Sequence, residues 1–203
     1  CARFTLNRGK IRDVNESPST APIPARPTPN LTPAGHFAVA WGAGGFALLL
    51  GFALWRLTPL ALESFEYPWA WPHISVFAVN LLAMAWFEGY QGFQKSYAPR
   101  FAARCRHWAE SANWPRALIA PLVCMGFIHA PRRRMLSTWL LTVGIVAIVL
   151  LYRQLPQPWR GILDAGVVLG LAWGLAATLA HVVIALREGP RTDPELVPDS
   201  SLY

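Results

Sequence analysis

The chain of 203 residues is 54% hydrophobic and 14% charged, with a formal net charge of +7 and a mean hydropathy of +0.30. Soluble domains average about a quarter charged residues, so this composition excludes an ordinary soluble domain and predicts an all-α integral membrane protein. The positive charge does not indicate a nucleic-acid partner, because basic residues beside apolar runs are the usual signal of membrane topology.

The two ends of the chain are polar and rich in proline. Residues 1–35 carry five basic residues without apolar periodicity, and residues 187–203 form a second such tail. Neither tail can bury enough apolar surface to offset its ordering entropy, so we expect both to be disordered. Because the chain opens on Cys1 rather than on Met, we expect it to be part of a longer one.

The segment between the tails, 36–186, is expected to form a transmembrane bundle. A membrane-spanning helix needs roughly 20 apolar residues, and four runs approach or reach that length, at about 36–57, 74–93, 136–152 and 162–186. The last run carries Gly166, Gly170 and Gly174 at intervals of four. Small residues at this spacing let membrane helices approach closely, so this glycine stripe predicts a surface for helix packing.

The second run carries a polar face. At 3.6 residues per turn, His73, Asn80, Glu88 and Gln91 fall within an arc of roughly 80°. Lipid tolerates such a face poorly, so we expect it to point into the bundle or into a wet cavity. Glu88 is the strongest functional candidate because a carboxylate inside a membrane helix is costly. The alternative is a structural ion pair near the helix end.

A basic stretch separates the second and third runs, and we expect 97–130 to form a cytoplasmic hairpin. Residues 97–110 alternate basic and apolar residues at helical spacing, which predicts an amphipathic helix on anionic headgroups. Residues 117–130 are apolar but include Pro121 and are too few to span, so we expect a re-entrant or interfacial piece. The arginines expected to contact headgroups are Arg100, Arg104, Arg132, Arg133 and Arg134.

The distribution of Lys and Arg predicts the topology. With four spans, one side holds five basic residues of the N-terminal tail, eight from Lys95 to Arg134 and two after the last span. The other side holds three, Arg56, Arg153 and Arg160. The positive-inside rule therefore favours a bacterial inner-membrane protein with both termini in the cytoplasm. A fifth crossing at 117–130 would weaken this bias.

Three further residues are candidates inside the bundle. His129 and His181 could join Glu88 in a metal or proton site with two histidines and one carboxylate, which suits zinc or iron, although no HExxH-type spacing supports it. Asp164 follows Arg160 by one turn near the start of the last run. A local ion pair is the simplest interpretation of Asp164, and an outer-mouth cation site is the alternative.

The sequence leaves three functions open. The leading hypothesis is a non-enzymatic accessory or scaffold subunit that packs through its glycine stripe, in a homo-oligomer or with another membrane protein. The second is a small transporter or channel that uses the polar face. The third is a membrane-embedded metal or redox enzyme built on Glu88, His129 and His181. The sequence contains no phosphate-binding glycine loop and no GxSxG motif, so it names no cofactor and disfavours an enzyme.

Overall fold

The computed structural model describes residues 31–192 and residue 194, so most of both predicted tails lies outside the described residues. Within this range every regular element is helical. In chain order the elements are α1 (Pro33–Glu63), a 3₁₀ turn (Ser64–Glu66), α2 (Trp71–Met84), a π-helix (Ala85–Tyr97), α3 (Ala98–Glu110), α4 (Trp114–Leu118), α5 (Ala120–Met125), α6 (Arg132–Tyr152) and α7 (Trp159–Glu188).

Among the described residues, three helical segments are long and apolar enough to cross a membrane. They are Pro33–Glu66, Met135–Tyr152 and Trp159–Glu188, and they contain three of the four predicted runs. The remaining predicted run, 74–93, is the second in chain order and is also helical. It is more polar than the others and is not among these three candidate spans. The described part of the chain is therefore all-helical, with three candidate spans by length and composition.

The second predicted run belongs to a much longer helix. The backbone is continuously helical from Trp71 to Glu110, through α2, the π-helix and α3, and we call this stretch the long helix. Most π-helical segments are single turns inside α-helices, often at functional sites, whereas this one extends over 13 residues. Its i→i+5 bonding widens each turn, so inward-facing positions recur at longer intervals than in an α-helix.

The long helix runs parallel to α7. At one end, the ring centroid of His73 lies 4.6 Å from that of Trp159 in the first turn of α7. At the other end, Nη1 of Arg106 donates a 2.6 Å hydrogen bond to the carbonyl oxygen of Ala185 in the last turn. We call these the far end and the near end of the bundle.

Helix α1 runs antiparallel to both. Its beginning lies at the near end, where a Cβ added at Gly35 would be 2.6 Å from the carbonyl oxygen of Ala109. Ser64, which follows its last residue, lies at the far end, where a Cβ added at Gly161 would be 2.5 Å from the Cβ of Ser64. The lack of a side chain at these two glycines permits the close approach of α1 at both ends.

The short helices α4 and α5 pack on the near-end half of α1. The indole nitrogen of Trp41 donates to the carbonyl oxygen of Leu118 at 3.0 Å, and a Cβ added at Gly45 would lie 3.1 Å from Pro121. The helices contain 5 and 6 residues, far too few to cross a bilayer. That 117–130 does not cross the membrane stays a prediction.

Helix α3 is buried, which differs from the predicted amphipathic helix on a lipid surface. Phe101 is fully buried, and the side chains of Arg104 and Arg106 are buried as well. Nε of Arg104 donates to the carbonyl oxygen of Pro194 at 3.1 Å, and Nε of Arg106 lies 3.0 Å from Oε1 of Glu110. The prediction of an exposed side chain on headgroups therefore does not hold for Arg104. Buried guanidinium groups are tolerated where they are hydrogen-bonded, and helical periodicity cannot reveal such partners.

The other predicted headgroup arginines have different surroundings. Arg100 is half-buried, whereas Arg132 and Arg133 are exposed at the start of α6. The side chain of Arg134 lies outside what the structure describes. Contact of the exposed pair with anionic lipid stays a prediction.

Helix α6 stands apart from the other helices. None of its described side chains is buried, and the ring of Trp139 meets that of Phe127 with centroids 5.2 Å apart. Apolar residues are exposed along its length, including Leu140, Val146 and Leu151. The other helices therefore form a bundle that does not depend on α6 for its packing.

Candidate functional site

The glycine stripe of α7 receives side chains of the long helix. A Cβ added at Gly166 would collide with Asn80, and one at Gly174 would collide with Phe93. A Cβ added at Gly170 would lie 2.5 Å from Oε2 of Glu88. The stripe is therefore used within the chain, where it lets the two helices approach closely, and this contact carries the candidate site.

Asn80 links the two helices by a hydrogen bond. Its Nδ2 donates to the carbonyl oxygen of Ile162 at 2.8 Å, so the amide is satisfied by the partner helix. His73, another member of the predicted polar face, has a different role. Its Nδ1 accepts a 3.0 Å hydrogen bond from the backbone N–H of Ala70, at the start of α2 where helical N–H groups lack partners. Both side chains therefore stabilise the helices or their packing.

Glu88 is the exception on this face. Its Oε2 is buried against Gly170 and has no hydrogen-bond partner among the described residues. A buried polar atom without a partner carries a desolvation cost, and a native structure that retains one requires an explanation. A bound proton or a small cation would relieve the cost at this oxygen.

The π-helix changes which glutamine faces α7. Gln91 is exposed, whereas Oε1 of Gln94 accepts a 2.8 Å hydrogen bond from the indole N–H of Trp173. Ideal α-helical spacing predicted that Gln91 would face the bundle. In the π-helix each turn is wider, and Gln94 faces α7 instead. The only hint in the sequence is the pair Gly89 and Gly92, since glycine weakens α-helical order.

A groove of about 480 Å³ lies beside the π-helix and the C-terminal half of α7. Its polar lining comes from Gln94, Trp173 and His181, and its remaining walls are alanine and isoleucine side chains. Nδ1 of His181 lies 2.8 Å from the carbonyl oxygen of Ala177, within hydrogen-bond distance. The lining does not include Asn80 or Glu88, so helix packing closes this part of the predicted polar face.

The predicted metal site does not form among the described residues, which contain no group of three His, Cys, Asp or Glu side chains able to hold an ion. His129 lies against another part of the bundle, with its ring centroid 5.2 Å from that of Trp108. Glu88 instead contacts Gly170, and His181 lines the groove. The sequence could not exclude the site, because it contains no information on which inward faces meet.

Asp164 forms the predicted local ion pair. Its Oδ2 lies 3.7 Å from Nε of Arg160, one turn earlier in α7, and the side chain is buried. The opposite charges compensate each other near the start of α7. This contact supports the simpler of the two interpretations of Asp164.

Two cysteines meet in the near-end core. Cys105 and Cys124 are both buried and free, and a Cβ added at Gly42 would be 3.0 Å from Sγ of Cys124 and 3.6 Å from Sγ of Cys105. Structural cysteines buried in this way are inert, because the thiolate is the nucleophile and the metal ligand. We therefore interpret both residues as packing.

No known protein family, curated protein or solved structure matches this chain. Its function is therefore inferred from these residues and their geometry.

Replacing Gly170 with alanine tests whether the glycine stripe holds the long helix. The added Cβ would lie 2.5 Å from Oε2 and 2.8 Å from Cδ of Glu88. Because these atoms end a flexible side chain, we expect a loss of stability of about 1 kcal/mol, at the low end of the range for overpacking. Thermal unfolding in detergent measures this loss, and adding Glu88→Ala to Gly170→Ala should remove most of it. Gly51→Ala is the matched control, because an added Cβ there meets nothing within 4 Å. Equal melting temperatures for the two alanine variants would contradict the packing role.

Proposed function

We propose that the protein crosses a bacterial inner membrane four times, with both ends in the cytoplasm. The parallel course of the long helix and α7 supports this, because two helices that join the same two ends of a bundle cross the same thickness. Helix α6 follows α5, which packs on the near-end half of α1. It ends at Tyr152, a short turn before the start of α7 at the far end. In this arrangement α6 returns from the near end to the far end. The excess of basic residues at the near end favours that end as cytoplasmic.

For its role, we propose a non-enzymatic accessory subunit of a membrane assembly. The observation that carries this proposal is α6, which is long and apolar enough to span and has no buried side chain among those described. The sequence suggested assembly through the glycine stripe, but the long helix occupies that stripe within the chain. We therefore assign the contact with a partner, either a second copy or another membrane protein, to α6.

The topology can be tested by labelling single cysteines with a membrane-impermeant maleimide, in a chain that carries Cys1→Ser. Lys95, Arg132 and Glu66 are all exposed, so a cysteine at each position can react. We expect Lys95→Cys and Arg132→Cys to be labelled from the cytoplasmic side alone, and Glu66→Cys from the opposite side alone. Labelling of Lys95→Cys and Arg132→Cys from opposite sides would overturn the four-crossing arrangement.

The role of α6 can be tested with a photo-reactive amino acid placed at Val146. The matched control is Leu48 on α1, since both side chains are more than half exposed, at 54% and 69%. We expect a protein adduct from Val146 and lipid adducts alone from Leu48, because only α6 is proposed to meet a partner. The adduct mass distinguishes a second 22.5 kDa copy from another subunit. Lipid adducts alone at both positions would contradict the accessory role.

A second function, proton or monovalent-cation binding in a small transporter, is favoured by Glu88. Its buried Oε2 lacks a hydrogen-bond partner among the described residues, and it lies in a π-helix, a feature often found at functional sites. Ionisable residues inside membranes commonly mark ion and proton pathways. The packing of Asn80 against α7 leaves this candidate second, because the polar face does not line the groove beside it.

Proton flux into proteoliposomes tests this second function. Under an imposed membrane potential, we expect Glu88→Gln to abolish flux that the wild type carries, because the amide keeps the shape but cannot exchange a proton at this oxygen. Glu66→Gln, in an exposed turn, is the control and should keep the wild-type flux. Equal flux through wild type and Glu88→Gln would exclude Glu88 as the proton carrier.

A further inference from the structure

Three arginines converge on one groove at the far end of the bundle. Arg56 of α1, Arg153 after α6 and Arg160 of α7 line a groove of about 390 Å³, together with Trp55, Pro59 and Leu60. Under the four-span arrangement these are the three basic residues of the arginine-poor side. Arg153 and Arg160 flank the short connection between α6 and α7, whereas Arg56 is distant in the chain and is brought to them by the packing of α1. We call this site the arginine groove.

The charges of the arginine groove are largely uncompensated. Arg160 is paired with the carboxylate of Asp164 at 3.7 Å. Arg56 and Arg153 are exposed, and neither makes a hydrogen bond or an ion pair through its side chain within the described part of the chain. Guanidinium groups present planar forks of donors that match phosphate oxygens. The groove therefore offers two unpaired guanidinium groups to an anion, with a third beside them.

A polar side chain links the two helices that carry Arg56 and Arg160. Oε1 of Gln157 accepts a 3.1 Å hydrogen bond from the backbone N–H of Gly161 in α7. Its Nε2 donates to the carbonyl oxygen of Leu60 in α1 at 3.5 Å. Because Gln157 joins these two helices, it ties together the backbone positions from which Arg56 and Arg160 reach the groove.

An apolar ridge continues from the arginine groove along α1. Leu48, Phe52, Trp55 and Pro59 follow at intervals of three or four residues, which places them on one helix face. The three large side chains among them are 61% to 72% exposed, and the rings of Phe52 and Trp55 have centroids 5.9 Å apart. A ligand with a phosphate at the arginines and a hydrocarbon chain along this ridge would match both surfaces.

We propose that the arginine groove binds the phosphate of an anionic phospholipid, whose acyl chain lies along the ridge of Leu48, Phe52 and Trp55. The apolar ridge favours a lipid over a free phosphate, which would use the arginines alone. The site is independent of the roles proposed for α6 and Glu88, but it requires that α1 and α7 cross the membrane and that α6 ends on the same side as the start of α7.

The test compares lipids bound to the full chain in detergent by native mass spectrometry. We expect phosphatidylglycerol to bind at least about tenfold more tightly than phosphatidylcholine with the same acyl chains, because charge-assisted contacts favour the anionic headgroup. Arg56→Gln combined with Arg153→Gln should remove that preference. The matched control, Arg187→Gln combined with Arg191→Gln, removes two exposed arginines at the near end that are not among those expected to contact headgroups, and it should keep the preference. Inorganic phosphate in large molar excess should leave the lipid bound.

Four outcomes would overturn the proposal. They are equal binding of the two lipids by the wild type, an unchanged preference in the Arg56 and Arg153 double variant, an equal loss in the control variant, and displacement of the lipid by inorganic phosphate. The last outcome would identify a site for free anions.

If the glutamine variant fails to fold, Arg56→Lys combined with Arg153→Lys keeps the positive charges but removes the planar guanidinium groups. We expect a weakened preference in that variant, and an undiminished one would overturn recognition by guanidinium groups.

Discussion

The contact between the long helix and α7 is the interaction on which the rest of the structure depends. Side chains of the long helix enter the spaces left by Gly166, Gly170 and Gly174, so the two backbones approach closely. In a membrane this close packing matters more than in water, because lipid supplies no hydrophobic force to drive helices together. The parallel course of the two helices then fixes the direction of α1 and the ends at which the loops lie.

The same contact determines which polar side chains of the long helix have hydrogen-bond partners. A polar group inside the hydrocarbon region is expensive unless another part of the protein satisfies it. Asn80 bonds to Ile162, and Gln94 bonds to Trp173. Glu88 lies on the same contact without a partner for Oε2 among the described residues. This difference separates a side chain that stabilises packing from one that is a candidate for chemistry.

The two ends of the bundle present different surfaces. At the near end, Arg104 and Arg106 are buried and bond to backbone carbonyl groups, so part of the basic stretch serves the fold. At the far end, Arg56 and Arg153 remain exposed around one groove. The number of arginines at one end of the bundle therefore does not show how many of them are exposed. Helix α6 adds a third surface, largely apolar and separate from the bundle.

The sequence by itself predicted the helical content of the described residues and the three candidate spans found there, because long apolar runs are the main signal of a helix able to cross hydrocarbon. It also identified the glycine stripe and Glu88. Only the tertiary structure decided that the stripe packs inside the chain, that Arg104 is buried, and that Gln94 rather than Gln91 faces α7. These outcomes depend on which helix faces meet and on a local change from α to π geometry. Neither is encoded in the periodicity of a single segment, since each is set by contacts between residues far apart in the chain.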